Sequence, residues 1–189
     1  MNKLLRESIE DSPIITAIKD DDGLNKCISC EESRIVFILY GDILIISSIV
    51  DRIKQAGKLA FVHMDLISGL QQKDISVEFI KEHTQADGII STKAALITKA
   101  KELGLYTVMR FFVIDSMAYD NITRQLKSTH PDIIEVLPGP MPKVVKRICS
   151  MTKCPVIAGG LVSDKEDVYA LLDAGAACIS STNTAIWNL

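Results

Sequence analysis

Apolar positions along the chain fall into short β-branched runs, each followed by a stretch whose apolar residues recur at helical spacing. The runs predict eight strands: Ile14–Ile18, Ile35–Tyr40, Leu59–Leu66, Gly88–Ser91, Tyr106–Val113, Asp132–Leu137, Pro155–Ala158 and Cys178–Ser181. Their starts lie 18 to 29 residues apart, the length of a minimal strand–loop–helix unit. The intervening segments carry helix end signals. Asp42 is placed to cap a helix over Ile43–Ala56, and Gly57 stands where a left-handed C′ residue belongs. Gly104 and Gly175 end two further helices in the same way. Ser163-Asp164-Lys165-Glu166 reads as a capping box opening Lys165–Ala174, and Pro142 suits the first turn of the helix carrying Val144, Val145 and Ile148.

Strands alternating with helices, with near-continuous apolar runs, imply a parallel sheet covered by helices on its outer face. Eight regular units favour closure, so the expected fold class is α/β, a small (β/α)8 TIM-type barrel with a truncated last helix. The last unit, Thr184–Leu189, is only a stub. No linker or low-complexity tract interrupts the chain, and residues 1–189 are expected to form one domain.

Composition narrows the class. With 48% apolar residues and a mean hydropathy of +0.22, the chain can fill a large core. Lys plus Arg number 21 against 24 Asp plus Glu, a net charge of −3 that argues against a generally basic nucleic-acid clamp. The apolar stretch Ile35–Val50 is too short for a membrane span and is divided by Gly41-Asp42, so a strand followed by a helix explains it better. The N-terminus has charges where a secretory signal would be apolar, and five cysteines is an odd count. A reduced, cytoplasmic location is expected, with no membrane or DNA partner.

In such a barrel the working face is the C-terminal end of the strands. Gly159-Gly160 follows the seventh strand and Ser181-Thr182-Asn183 the eighth. Loops after those strands, together with a helix N-terminus, form the recurring phosphate cup of this architecture. Lys93 and Arg110 are candidates to add positive charge. His63 and Asp65, two apart and so expected on one side of a strand, could serve as hydrogen-bond partners of a polyol or as base and orienter. Glu135 and Arg110 are charged residues in apolar strands, which implies pairing with each other or with a ligand. No third ligand has metal spacing, so no metal is expected, nor any cofactor.

Two further features stand outside the mouth. Cys27-x-x-Cys30 has no second pair and reads as core thiols. From Met141 to Lys153 there are four basic residues, Lys143, Lys146, Arg147 and Lys153, and no acid. The first three share one side of a helix, either a solvated face or an RNA backbone contact. The helix from Ile43 is expected to be apolar on more than one face, which points to a homo-oligomer.

The segments VFILYGDI, HMDLISGL, GIISTK, MRFFVIDS, IEVLPGPMPKV and PVIAGGLVSDKEDV…AGA…STN…W, in this order, resemble the glycerol uptake operon antiterminator family of Gram-positive bacteria. The similarity runs from about Ile14 to Trp187. The resemblance implies a small barrel that senses glycerol 3-phosphate and then acts on the leader mRNA of a glycerol-catabolism operon, preventing premature termination. The family's positions fall on His63, Asp65, Gly69, Lys93, Arg110, Asp115, Glu135, Gly139, Gly159, Gly160, Ser181 and Asn183. An alternative is a barrel isomerase, lyase or aldolase acting on a small phosphorylated substrate. His63, Asp65 and Glu135 would then move protons, and Lys93 is a candidate Schiff base.

Overall fold

The computed structural model describes residues 3–189. Eight parallel strands close into a barrel in sequence order: β1 (Ile14–Ile18), β2 (Ile35–Ile38), β3 (Leu59–His63), β4 (Gly88–Ser91), β5 (Tyr106–Phe112), β6 (Ile133–Leu137), β7 (Val156–Gly159) and β8 (Cys178–Ser181). Strand β1 completes the circle against β8, with Ile15 opposite Ser180 and Thr16 opposite Ser181. Helices α2 (Asp21–Ile28), α3 (Ile46–Gln55), α4 (Asp74–His83), α5 (Ala94–Glu102), α6 (Ser116–Thr129), α7 (Pro142–Met151) and α8 (Lys165–Asp173) follow β1 to β7 in turn. After β8 the chain makes only a 3-10 turn, Thr184–Ile186, so the truncated last helix expected from the sequence is a single turn.

The period of two along each strand divides the apolar residues into two cores. Val36, Ile38, Ala60, Val62 and Ile89 face the helices. Ile15, Phe37, Phe61, Ile90, Val108, Ile133, Ile157 and Cys178 fill the barrel. Gly88 is required inside it, because a Cβ there would lie 2.5 Å from the Phe61 ring and 2.6 Å from the Tyr106 carbonyl.

One element was not foreseen. Helix α1 (Lys3–Asp11) lies at the bottom of the barrel, its Leu5 and Ile9 packed with the interior residues rather than with the helix layer. The Cys178 thiol reaches the carbonyls of Ile9 and Ser12, which ties this plug to β8. Among the described residues α1 thus covers the bottom of the barrel interior, which leaves the strand C-terminal ends as its open side.

Two expected helix starts differ. Asp42 does cap a turn, its Oδ1 accepting from the N–H groups of Leu44 and Ile45, but α3 begins only at Ile46. The buried face of that helix is Ile46, Ile49, Val50 and Ile53, so it is not apolar on more than one face. At α8 the cap is Asp164, accepting from Asp167 N–H, while the Asp167 carboxylate accepts from Ser163 N–H. The capping box is thus shifted by one residue from Ser163 and Glu166.

Candidate functional site

The period of two that places Val108, Ile133 and Cys178 in the barrel also sends Arg110, Glu135 and Ser180 inward, one layer nearer the mouth. Arg110 and Glu135 are register partners on β5 and β6, and Arg110 Nε donates to Glu135 Oε2 at 2.6 Å. From β8, two strands along the barrel, Ser180 Oγ donates to Glu135 Oε1 at 2.5 Å. Both charged groups are buried, Arg110 at 8% exposure and Glu135 at 1%, so each has a partner that offsets its desolvation. Only Nε of the guanidinium is bonded within the described residues, so its terminal nitrogens keep their donors.

Above this trio lies a cavity of about 400 Å3, within the range of small-molecule sites, roughly 300–1,000 Å3. Arg110, Glu135 and Ser180 form its floor; Gly160, Leu161, Val162 and Ser163 one wall; Ser181, Thr182 and Asn183 another. Gly160 (φ +72°) and Leu161 (φ +60°) are consecutive left-handed residues, which turn the β7–α8 loop sharply over the mouth.

The two glycines after β7 have different duties. A Cβ on Gly159 would lie 2.1 Å from Ser180 Oγ and 2.8 Å from Glu135 Oε1. Gly159 thus makes room for the Ser180–Glu135 bond, rather than for a phosphate directly. Gly160 takes the positive φ and lines the cavity. Ser181 and Asn183 join the two loops: Ser181 Oγ donates to Val162 O, and Asn183 Nδ2 to Ser163 O. The N–H of Asn183 is bonded to Ser181 Oγ, and that of Ala185 to Asn183 Oδ1. Asn183 therefore serves as the cap of the last turn and its N–H is not open to an anion, contrary to the expectation. Thr182 is exposed and lines the cavity.

His63 follows Phe61 on β3 and points into the barrel, where its Nδ1 is buried without a hydrogen-bond partner among the described residues. Burial, and then the positive charge of Arg110, lower its pKa from 6.5 to about 4, so the ring is neutral at physiological pH. Asp65 does not share its side. Strand β3 ends at His63, and the next residues turn, carrying the Asp65 carboxylate to the end of β4. There it accepts from Ser91 Oγ, Thr92 N–H and Thr92 Oγ1, each at 2.8 Å. Burial raises its pKa, but these bonds and His63 outweigh that and hold it below the usual carboxylate value. Asp65 braces the β3 and β4 loops and does not line the cavity.

Lys93 also stands apart. Its side chain is exposed at the N-terminus of α5, and it is absent from the cavity wall. No lysine lines the cavity, so it offers no amine for a Schiff base. Among the described residues no group of three or more His, Cys, Asp or Glu could hold a metal ion, and no helix is long and apolar enough to cross a membrane. Cys27 and Cys30 are buried free thiols, and burial pushes Cys27 up to about 11, which suits core packing.

The basic cluster divides. Lys143, Lys146 and Arg147 are exposed on α7, and the Arg147 guanidinium lies 5.1 Å from the Tyr119 ring centroid on neighbouring α6. Lys153 lies beyond α7 at the barrel bottom, in a cleft with Arg6, Lys101 and His130. The sequence could not supply Tyr119, because its place beside Arg147 depends on helix packing. Ser180 was also missed; the available signal was its phase with Cys178, two residues earlier on an inward-facing strand.

A family model described as glycerol-3-phosphate responsive antiterminator matches residues 14–187. The protein YgcP of Escherichia coli K12 is 43% identical over 181 residues, covering 96% of this chain and 94% of that protein. A glycerol uptake operon antiterminator regulatory protein of Listeria monocytogenes superposes with a TM-score of 0.88 at 31% identity, covering 92% of this chain and 94% of that one. An antiterminator-related protein of Thermotoga maritima gives 0.83 at 34% identity, with 94% and 99% coverage. Deoxyribose phosphate aldolase of Aeropyrum pernix gives 0.72 at 14% identity, covering 95% and 89%, a likeness of fold alone.

Proposed function

This chain belongs to the glycerol-3-phosphate responsive antiterminator family, and from that premise we propose that it binds glycerol 3-phosphate in the mouth cavity and acts on a glycerol-operon leader mRNA. The observation that carries the reading is Arg110: a buried guanidinium, fixed through Nε to Glu135, in the lining of the mouth cavity and with its terminal nitrogens unbonded among the described residues. A fork fixed at one edge is suited to a phosphate, because its donors need no further ordering when the anion arrives. Gly160, Leu161 and Thr182 complete the anion side. Glu135, whose oxygens each keep a second lone pair, serves the hydroxyls, while the neutral His63 ring lies below the cavity lining. Ligand spanning the β5, β6, β7 and β8 loops orders the mouth, and the coupling of that change to RNA is worth typically ~1–3 kcal/mol.

For RNA, the exposed α7 face of Lys143, Lys146 and Arg147, with Tyr119 beneath Arg147, provides backbone contacts and one stacking platform. Lys153, at the bottom, stands outside that surface. The protein works as a regulator that returns its ligand unchanged.

Calorimetric titration with glycerol 3-phosphate, with glycerol and inorganic phosphate as controls, tests the reading. Micromolar binding that Arg110→Lys weakens tenfold or more, and that a leader hairpin strengthens, is the expected result. Absence of binding, or turnover of a phosphate ester, favours the enzyme instead.

A further inference from the structure

The exposed apolar side chains are unevenly placed. Twelve large ones remain exposed among the described residues, and nine of these stand on the mouth face. The most prominent are Leu44 (85% exposed) in the β2–α3 loop, Ile75 in the first turn of α4, Ile114 and Met117 around the start of α6, and Leu161 in the β7–α8 loop. The nine expose on the order of 1,000 Å2, taking roughly 150–250 Å2 for a fully exposed large side chain. The largest apolar patch on a soluble monomer is roughly 300–600 Å2, and a stable pair covers about 800 Å2 per partner.

These side chains are held outward by bonded loops. Ile43 N–H donates to Ser68 O at 3.0 Å and Ser68 N–H to Gly41 O at 2.9 Å, joining the β2 and β3 loops. Asp42 fixes Leu44 and Ile45 from below, and Asp115 accepts from Ala118 N–H at 2.7 Å, which sets the turn carrying Ile114 and Met117. Leu161 keeps a left-handed conformation, which costs a residue with a side chain about 1–2 kcal/mol, and still points into water. A rim built this firmly around a cavity is a surface made to be covered.

We propose that the mouth face docks against the same face of a second copy of this chain, related by a twofold axis. An isologous pairing needs only this one face, and the apolar area its loops expose together is of the order that a stable dimer covers. Nucleic acid is the poorer occupant. The charges among the apolar groups are mixed, the capping carboxylates Asp20, Asp42, Asp115 and Asp164 beside Lys19, Lys73, Lys93 and Lys165, and so do not form the clustered basic surface that a phosphate backbone requires. In a homodimer the carboxylates of one copy also repel those of the other, a cost that added salt screens and that the apolar ring outweighs. Leu161 belongs both to the rim and to the cavity wall, so the partner copy also covers the cavity. A small anion bound before pairing is then enclosed; this last part rests on the effector reading above, while the docking does not.

Sedimentation equilibrium of the full chain at micromolar concentrations tests the docking, with Leu44→Glu, Ile114→Glu and, as a control on the outer face of α7, Lys146→Glu. The expected result is a wild-type dimer that tightens with added salt, weakened tenfold or more by either rim substitution and unchanged by Lys146→Glu. Both rim residues are solvent-facing, and circular dichroism verifies that the variants fold. A wild-type monomer, or a dimer that both rim substitutions leave intact, overturns the proposal. So does a monomer whose rim variants lose a hairpin RNA, since the rim would then be a nucleic-acid surface. If glycerol 3-phosphate binds by calorimetry yet leaves the dimer constant unchanged, docking stands and enclosure fails. If it does not bind at all, the effector reading fails and sedimentation still decides the docking.

Discussion

A double-mutant cycle at Gly159 and Ser180 asks what the first glycine after β7 is for. Gly159→Ala places a Cβ 2.1 Å from Ser180 Oγ and 2.8 Å from Glu135 Oε1, both inside contact distance. Ser180 must swing away, giving up its 2.5 Å bond to a buried carboxylate. Overpacking of this kind costs about 1–3 kcal/mol, and a hydrogen bond to a charged group is worth roughly 1.5–3 kcal/mol. Gly159→Ala alone should therefore destabilise by about 3–5 kcal/mol, and Ser180→Ala by roughly 1.5–3 kcal/mol. The double variant has already lost Oγ; the new methyl then meets Ser180 Cβ at an ordinary 3.5 Å and needs only Glu135 to yield. Because the bond is counted in both singles and lost once in the double, the double variant's loss should fall short of their sum by roughly 1.5–3 kcal/mol. Urea unfolding at neutral pH measures all four corners. Additivity within about 0.5 kcal/mol refutes the assignment. A stable Gly159→Ala that no longer binds glycerol 3-phosphate would instead return Gly159 to the phosphate role first expected from its sequence.

His63 gives a pH signature. Its folded pKa lies below its unfolded value, so the unfolded chain binds more protons between pH 6.5 and about 4, and stability is full above that window and lost as pH falls through it. The drop corresponds to roughly 3 kcal/mol, and His63→Gln should flatten the stability curve across the same window; equal slopes in both proteins would show that the ring is not held neutral. Leu161→Gly should raise unfolding stability by up to about 1 kcal/mol by relieving the left-handed backbone, measured by urea titration of dilute protein; a loss of stability would mean that the side chain packs within its own subunit.

The barrel was legible because all eight units repeat one pattern. Strands β1, β4 and β8 match their expected limits at both ends. Strands β2 and β3 were read too long, to Tyr40 and Leu66, because the apolar run continues past the last ladder pair into loops that pack on the rim. Helix α1 escaped because KLLRESIED is mostly polar, although Leu5, Ser8 and Ile9 follow the helical spacing. At the site, Arg110 and Glu135 stood out as charges in apolar strands, and neighbouring strands put them in register. Lys93 and Asp65 misled for one reason: a polar residue just past a strand can face the mouth or the helix layer, and only the turn decides which. For Asp65 the turn after His63 sends it to Ser91 and Thr92.

The closure of β1 against β8 has a consequence for synthesis. Residues 14–18 leave the ribosome early, yet one edge of their strand has no partner until residues 178–181 arrive. At roughly 5–20 residues per second that delay is on the order of ten to thirty seconds. Throughout it, a strand whose five residues are all buried in the finished barrel waits with an open edge beside a plug helix that has nothing yet to plug. A ribosome that stalls before β8 therefore releases a fragment with a ready template for pairing with another unfinished chain, and the last four-residue strand is what turns a sticky nascent polypeptide into a sealed one.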